Sequence, residues 1–196
     1  MKKRVLIVVD YQKDFVNGVL AVPGAETIAQ NIQREVEKDY FKKVFTFDTH
    51  TAADYETSEE KTLFPNIHCE FNKDGWFLHE IDTIPYQIVK GSIAFLERPF
   101  QKIEIDNQLF FCKDKFNIFE GNRMFENWII SNFNNSEVEF VVCGVALNYC
   151  VFYQAMELAD RGYAVIIKND CVKGIMDDTY EKNIEIMKQN NIRFED

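Results

Sequence analysis

Short apolar runs that lack polar alternation recur along this 196-residue chain, and they restrict its fold more than any other feature. Runs of this kind are typical of strands that are buried on both faces of a sheet. They predict strands at residues 4–10, 43–48, 108–112, 139–144 and 163–168, with a short edge strand at 192–194.

Helical patterns separate these strands. In the first of them, Ile28, Ile32 and Val36 recur every four residues, as one face of a helix requires. Helices are predicted at residues 24–38, 121–132, 151–161 and 177–189. Because strands and helices alternate, we predict an α/β fold, a doubly wound and mainly parallel six-stranded sheet with helices on both faces.

The length of the chain predicts a single domain over residues 1–196, since a chain of this size can bury one substantial core. Residues 49–107 are mostly irregular, with three prolines and mixed polarity. So long an excursion is usually a functional lid or an insertion with small elements of its own, and we assign that role to about residues 51–107.

Charge and cysteine usage exclude several classes of protein. The formal net charge of −10 argues against nucleic acid or an anionic membrane as a partner, because both need a basic surface. The apolar run behind Arg4 ends at Asp10, which is too short for a signal peptide or a membrane span. The five cysteines form no CxxC pair, so reduced thiols in a cytoplasmic protein are expected.

Cys150 is the candidate nucleophile. The strand at residues 139–144 ends at a glycine, and a short turn then delivers Cys150 to the start of a helical pattern. A thiol at a helix N-terminus lies near the positive end of the helix dipole, which favours the thiolate. The alternative is a structural cysteine packed beneath the helix.

Charged residues mark the ends of the other strands. Asp10, Asp48 and Lys113 would lie with Cys150 on one rim of the sheet, where ligands bind in folds of this kind. In a doubly wound order the first and fourth predicted strands are neighbours, so Asp10 and Cys150 could meet. Lys113 would then lower the thiol pKa and Asp10 could accept the thiol proton. Taken singly, each has an ordinary explanation as a loop cap or a solvated lysine.

A second group of residues has the character of a metal site. Asp48 and His50 are one residue apart, so both side chains point the same way on an extended segment. With the more distant His68 they would offer oxygen and nitrogen ligands suited to Zn, Fe or Mn. Alone, this pattern is a weak signal. Asp54 is a further candidate ligand or supporting acid, and His79 is interpreted as a surface or lid residue.

Four ordered motifs within about residues 4–175 resemble the isochorismatase-like cysteine hydrolases, and within them the nicotinamidase/pyrazinamidase branch. Residues 10–15 and 18–25 look like the first-strand signature of that family, and residues 144–151 resemble its nucleophile turn. Residues 47–50 and 64–69 look like the metal-ligand segments of nicotinamidases, and residues 113–119 are similar to the lysine segment. The resemblance implies the isochorismatase-like, Rossmann-like three-layer sandwich.

The resemblance also implies roles for individual residues. Asp10, Lys113 and Cys150 would form a catalytic triad. A cis peptide bond is implied between Val145 and Ala146, with an oxyanion hole built from the backbone N–H groups of Ala146 and Cys150.

The same resemblance implies a cofactor and a binding pocket. A divalent metal on Asp48, His50 and His68 would hold the pyridine nitrogen of a small amide substrate. Phe15 and Tyr149 are expected to form pocket walls against a flat ring. Assembly into a homo-oligomer is left open.

The chain departs from the family pattern at several places. Leu147 and Asn148 stand where the family commonly has Thr-Asp, and residues 70–76 replace a glycine-rich run. Asp54 lies near the place of a second histidine that is often found there. Residues 90–95 partly mimic the lysine segment, but Lys113 is preferred because it ends a strand.

These departures bear on the substrate more than on the chemistry. The leading interpretation is a metal-assisted nicotinamidase that works through a cysteine thioester. The alternatives are a cysteine hydrolase of the same fold acting on another small amide or carbamoyl compound, an isochorismatase-type vinyl-ether hydrolase, and a non-catalytic binding domain.

Overall fold

The computed structural model describes residues 2–81 and 102–196, and its centre is a seven-stranded sheet. The strands are β1 Lys3–Val9, β2 Lys42–Asp48, β3 Lys102–Ile105, β4 Gln108–Lys113, β5 Val138–Val145, β6 Ala164–Lys173 and β7 Arg193–Glu195. Their order across the sheet is β3-β4-β2-β1-β5-β6-β7. All neighbouring pairs are parallel except β3 and β4, which form an antiparallel pair.

Helices cover both faces of the sheet. They are α1 Lys13–Val16, α2 Ala29–Glu37, α3 Ala52–Tyr55, α4 Glu60–Leu63, α5 Ile118–Gly121, α6 Arg123–Asn132, α7 Cys150–Asp160 and α8 Tyr180–Gln189, with short 3₁₀ helices at Ala25–Ile28 and Asp74–Trp76. Ile32 of α2 packs in the core on one face, whereas Phe125 of α6, Val151 of α7 and Met187 of α8 pack in the core on the other. Burying apolar side chains on both faces is what the unbroken apolar strands require.

The predicted α/β fold is confirmed, including the adjacency of the first strand and the strand that precedes Cys150. One strand was missed. The four residues of β3 lie in the segment that we predicted to be mostly irregular, and Asp106 joins them to β4 with a φ of 56°. The described part of the predicted lid also contains α3 and α4, while residues 82–101 of it lie outside the described residues.

A close approach of two backbones places the Cys150 turn beside the end of β1. Gly144 pairs with Val9 and has a φ of 112°. A Cβ atom at this position would lie 2.0 Å from the carbonyl oxygen of Val9, so only glycine fits. The next residue after Val9 is Asp10, which therefore lies next to the turn that carries Cys150.

Over the described ranges, no helix has both the length and the apolar character needed to cross a membrane.

Candidate active site

The parallel strands bring the four predicted rim residues to one end of the sheet. Asp48 and Lys113 are directly opposite each other in the pairing of β2 with β4. Asp10 follows β1, and Cys150 begins α7 just beyond β5. All four side chains are buried, between 0 and 6% exposed.

Lys113 stands at the centre of this group. Its Nζ lies 2.7 Å from Asp10 Oδ2, 3.3 Å from Asp48 Oδ1 and 3.5 Å from Cys150 Sγ. Burial alone would lower the pKa of Lys113, but the Asp10 and Asp48 carboxylates raise it well above its usual value. The ammonium therefore keeps its charge although it is almost fully buried.

Asp10 has the properties of a base. Its backbone has a φ of 45°, and the Thr46 hydroxyl donates a hydrogen bond of 2.6 Å to Oδ1. Burial raises the pKa of Asp10 above its usual value, although the neighbouring Lys113 cation works in the opposite direction. A carboxylate that binds a proton more readily than usual is better suited to accept one from a thiol.

The thiol of Cys150 is protonated at rest. Burial raises its pKa well above the usual value, and the Lys113 cation offsets only part of that effect. Lys113 lowers the thiol pKa, as predicted, but burial outweighs this effect because the site is more deeply buried than the helix start suggested. The thiol must lose its proton to a neighbouring base during the reaction.

The turn before Cys150 exposes two backbone donors. The Val145–Ala146 peptide bond is cis, as the resemblance implied. The carbonyl oxygen of Ala146 accepts hydrogen bonds from the N–H groups of Tyr149 and Val151, at 3.0 and 3.2 Å. Among the described residues, none accepts a hydrogen bond from the N–H of Ala146 or of Cys150. These two donors are available to an oxygen atom in the cavity.

Four buried side chains form the metal-like group, one more than the sequence indicated. They are Asp48, His50, Glu60 and His68, and their ligand atoms all lie within 4.8 Å of one another. Both histidines point Nε2 inward: His50 Nε2 lies 3.1 Å from Asp48 Oδ2, and His68 Nε2 lies 3.2 Å from Glu60 Oε2. Two imidazoles and two carboxylates are a donor set that suits a divalent metal such as zinc.

The charged side chains of this group shift one another's pKa values. Burial alone would raise the pKa of Asp48, but His50 and Lys113 hold it well below its usual value. Burial alone would lower the pKa values of both histidines, but Asp48 and Glu60 raise them to about 10 for His50 and about 9 for His68. The carboxylates thus attract positive charge to this point, whether it is carried by protons or by a metal.

Glu60 was missed by sequence reasoning, which pointed to Asp54 instead. Asp54 is exposed, and its Oδ2 accepts a hydrogen bond of 2.7 Å from Thr51 at the start of α3. Glu60 opens α4 and turns inward, with 3% of its surface exposed. Asp54, which the sequence left open as a further ligand or supporting acid, is not part of the metal-like group, and Glu60 is its fourth member.

Supporting hydrogen bonds hold the group in place. Gln12 is fully buried and donates from Nε2 to the carbonyl of Asp48 at 2.9 Å, while its Oε1 accepts from the Asp48 N–H at 2.8 Å. The Tyr55 hydroxyl lies 3.1 Å from His68 Nδ1, on the side of the ring away from the group. Such contacts fix the orientation of ligating side chains.

A cleft that encloses about 330 Å³, part of it open to solvent, is lined both by the thiol and by members of the metal-like group. Cys150 and Ala146 line one part of it, and His68 and Glu60 line another. The remaining wall is apolar or aromatic and consists of Phe15, Leu20, Val22, Phe64, Phe116, Tyr149 and Ile175. Phe15 and Tyr149 are the two wall residues expected from the sequence. The cavity is suited to a small, flat molecule.

Two other sequence-based assignments can be placed. His79 is only 9% exposed and packs edge-on against Tyr11, with ring centroids 6.0 Å apart. It is therefore not a surface residue, although it lies within the segment interpreted as a lid, the other role that the sequence suggested for it. The alternative lysine segment at residues 90–95 lies outside the described residues.

Comparison with known proteins places this site in context. The family model for the isochorismatase domain matches residues 4–195. The chain is 26% identical to the nicotinamidase of Saccharomyces cerevisiae over 224 residues, covering 98% of this chain and 99% of the yeast protein. Among solved structures, it is similar to the pyrazinamidase of Pyrococcus horikoshii in complex with zinc, with a TM-score of 0.73, 25% identity and 98% of each chain covered. It is also similar to PnC1 of L. infantum in complex with nicotinate, with a TM-score of 0.75, 21% identity and coverage of 99% and 92%.

Proposed function

This chain belongs to the isochorismatase domain family, and from that membership we propose that it is a nicotinamidase, a hydrolase that converts nicotinamide and water to nicotinate and ammonia. The observation that carries the proposal is a cavity lined by Cys150 and also by Glu60 and His68, two members of the metal-like group of Asp48, His50, Glu60 and His68. A ring amide can then place its carboxamide at the sulfur while its ring nitrogen faces the second group.

The four-residue group would hold a divalent metal, and the zinc-containing pyrazinamidase structure supports zinc as a candidate. Fe and Mn accept similar ligands. When bound, the ion would supply a Lewis-acid anchor for the ring nitrogen of the substrate. The walls formed by Phe15 and Tyr149 would hold the ring flat.

The first half of the reaction follows from the placement of the protein groups. The sulfur of Cys150 attacks the carboxamide carbon while its proton passes to the Asp10 carboxylate. The carbonyl oxygen gains negative charge, which the N–H groups of Ala146 and Cys150 stabilise. Asp10 then gives the proton to the departing nitrogen, the C–N bond breaks, and ammonia leaves a thioester on Cys150.

Water completes the reaction by the reverse use of the same groups. Asp10 takes a proton from the attacking water, and the oxygen adds to the thioester carbon. The C–S bond breaks, the proton on Asp10 returns to the sulfur, and the second proton of the water is lost to solvent as the acid leaves as nicotinate. Lys113 balances the charge of Asp10 throughout, and it lies close enough to Cys150 to stabilise negative sulfur as it forms.

The biological setting belongs to the same proposal. All five cysteines are free and buried, which supports a reducing compartment such as the cytoplasm. Release of nicotinate from nicotinamide would serve the salvage of NAD. The whole chain would act as one domain, with Glu60, Phe64 and His68 of the predicted lid segment contributing to the walls of the site.

The direct test is ammonia release from nicotinamide by the purified chain, with its metal content measured at the same time. We expect turnover by the wild type, none by Cys150→Ala, and near-normal turnover by Cys171→Ala, a buried thiol outside the cavity. Removal of the metal with a chelator should stop turnover, and zinc should restore it. Absence of ammonia release by the metal-loaded wild type would overturn the assignment.

A further inference from the structure

The side chain of Asn148 ties the nucleophile turn to the loop that follows β6. It is 1% exposed, and its Nδ2 donates to the carbonyl of Ile175 at 3.0 Å, to Asp177 Oδ1 at 3.0 Å and to Thr179 Oγ1 at 2.7 Å. Its Oδ1 accepts from the N–H of Ile175 at 2.9 Å. Both ends of the amide are therefore used, and all of these partners lie on one loop.

The packing around Asn148 leaves little room for the loop to move. A Cβ atom at Gly174 would lie 2.7 Å from Asn148 Oδ1 and 2.7 Å from the ring of Tyr180, so the chain passes directly over the amide. From the other side, Asn183 of α8 donates to the carbonyl of Asn148 at 2.9 Å. The loop is thus held against the amide at close range.

Two of the connected residues are walls of the cavity. Ile175 and Tyr149 both line it, whereas Asn148 does not. The Tyr149 hydroxyl donates to Asp177 Oδ2 at 2.7 Å, so the carboxylate that accepts from Asn148 also holds Tyr149. The position of both walls relative to Cys150 therefore depends on the contacts of Asn148.

We propose that Asn148 is a positioning residue that sets the width of the cavity by fixing Ile175 and Tyr149, and thereby selects substrates by ring size. This inference rests on the proposed function, because it concerns the same cavity. An amide is required rather than a carboxylate, since only the amide can donate to Asp177 and to the carbonyl of Ile175. Aspartate at this position would place a second negative charge about 3 Å from Asp177.

The test compares Asn148→Asp, Asp177→Asn and the double variant in their kcat and KM for nicotinamide and for a ring-methylated nicotinamide. We expect Asn148→Asp to lower kcat/KM for nicotinamide about 10- to 100-fold, mainly through KM, because it leaves buried groups unpaired. The double variant reverses the donor and the acceptor of the pair between positions 148 and 177, but it leaves the carbonyl of Ile175 without its donor, so it should recover only part of the loss. The preference for nicotinamide over the methylated ring should fall in Asn148→Asp and return in part in the double variant.

Matched variants separate positioning from general damage. Thr179→Val removes one acceptor with little change of shape and should shift the preference in the same direction by a smaller factor. Asn132→Ala removes an exposed asparagine that donates to the carbonyl of Trp128 and does not line the cavity, and it should change neither kcat/KM nor the ring preference. Wild-type ring preference in Asn148→Asp, or a double variant whose loss equals the product of the two single losses, would overturn the inference.

A readout without turnover keeps this inference distinct from the proposed function. Alkylation of Cys150 by iodoacetamide and by its bulkier N-phenyl derivative, measured on the Cys150 peptide by mass spectrometry, reports the width of the cavity directly. The rate ratio should move toward the bulkier reagent in Asn148→Ala and stay at the wild-type value in Asn132→Ala. If the wild type releases no ammonia from nicotinamide but this ratio still shifts, the nicotinamidase assignment fails and the role of Asn148 stands. An unchanged ratio refutes the role of Asn148.

Discussion

The Lys113 ammonium lies 3.5 Å from the Cys150 sulfur, with both side chains buried. The same ammonium contacts Asp10 beside the thiol and Asp48 in the metal-like group. One cation therefore connects the two halves of the site. Because it neutralises two buried carboxylates, it bears on stability as well as on catalysis.

Replacement of Lys113 by methionine should test both effects. The variant keeps an apolar stem but leaves Asp10 and Asp48 without their shared cation, which should lower the free energy of unfolding by about 3–5 kcal/mol. Ammonia release should fall below detection. Urea unfolding and an ammonia assay measure the two losses, with Lys115→Met as the control because Lys115 is exposed two residues away. Wild-type stability in Lys113→Met would contradict the role of the ammonium.

The dependence of kcat/KM on pH should reveal Asp10 as the base. Activity requires the carboxylate form, so kcat/KM should fall as the pH decreases through a pKa that burial places above the usual carboxyl value. The hydrogen bond from Thr46 favours the charged form. Its removal in Thr46→Val should therefore raise the pKa of Asp10 and move the acid limb to higher pH. Thr62→Val, at an exposed threonine, should leave the limb in place, and a limb that moves to lower pH in Thr46→Val would refute the assignment.

Most of the arrangement around Lys113 could be predicted because strand ends are visible in the sequence. Apolar runs show where β1, β2 and β4 stop, and parallel strands align their carboxyl ends, so Asp10, Asp48 and Lys113 had to share a rim. The family match confirms the resemblance drawn from these same motifs. The alternation of strands and helices is visible in local patterns and predicts a parallel, doubly wound sheet. In that order the strand before Cys150 lies beside β1, which places Cys150 near Asp10.

What could not be predicted depends on contacts between distant segments. Nothing local distinguishes Glu60 from Asp54, since both are acids near the start of short helices in a polar segment. What sets Glu60 apart is its approach to His50 and His68, which lie in separate segments of the chain. The net rise in the pKa of the Cys150 thiol could not be predicted for a related reason, because a helix start is recognisable in sequence whereas the depth of burial is not.

The contrast between Glu60 and Asp54 leads to a prediction about metal affinity. Glu60→Gln removes a carboxylate from the four-residue group and should weaken zinc binding by at least about 10-fold. Loss of a residue that only supports a metal ligand already weakens affinity by about 10- to 100-fold, so loss of a ligand should cost at least as much. Asp54→Asn is the matched control, because the Asp54 carboxylate is exposed, accepts its hydrogen bond from Thr51 and is not a member of the four-residue group, so the variant should keep wild-type affinity. Competition with a chromophoric chelator measures both constants. Equal weakening in the two variants would show that the effect is one of general charge rather than of ligation.

Gly144 offers a sharp test of the backbone approach that brings Asp10 to the nucleophile turn. Gly144 and Gly162 both have positive φ, 112° and 82°, so alanine at either position carries a conformational cost of about 1–2 kcal/mol. The surroundings differ: a Cβ at Gly144 would lie 2.0 Å from the Val9 carbonyl oxygen, whereas at Gly162 it would approach only the side chain of Asn135. Gly144→Ala must therefore separate β5 from β1, and it should cost at least about 2 kcal/mol more in the free energy of unfolding than Gly162→Ala. Because the movement displaces Ala146 and Cys150 from Asp10, ammonia release should be lost even under conditions where the variant is folded. Urea unfolding and the ammonia assay on both variants check this, and equal stability losses would show that the strands tolerate the added methyl group.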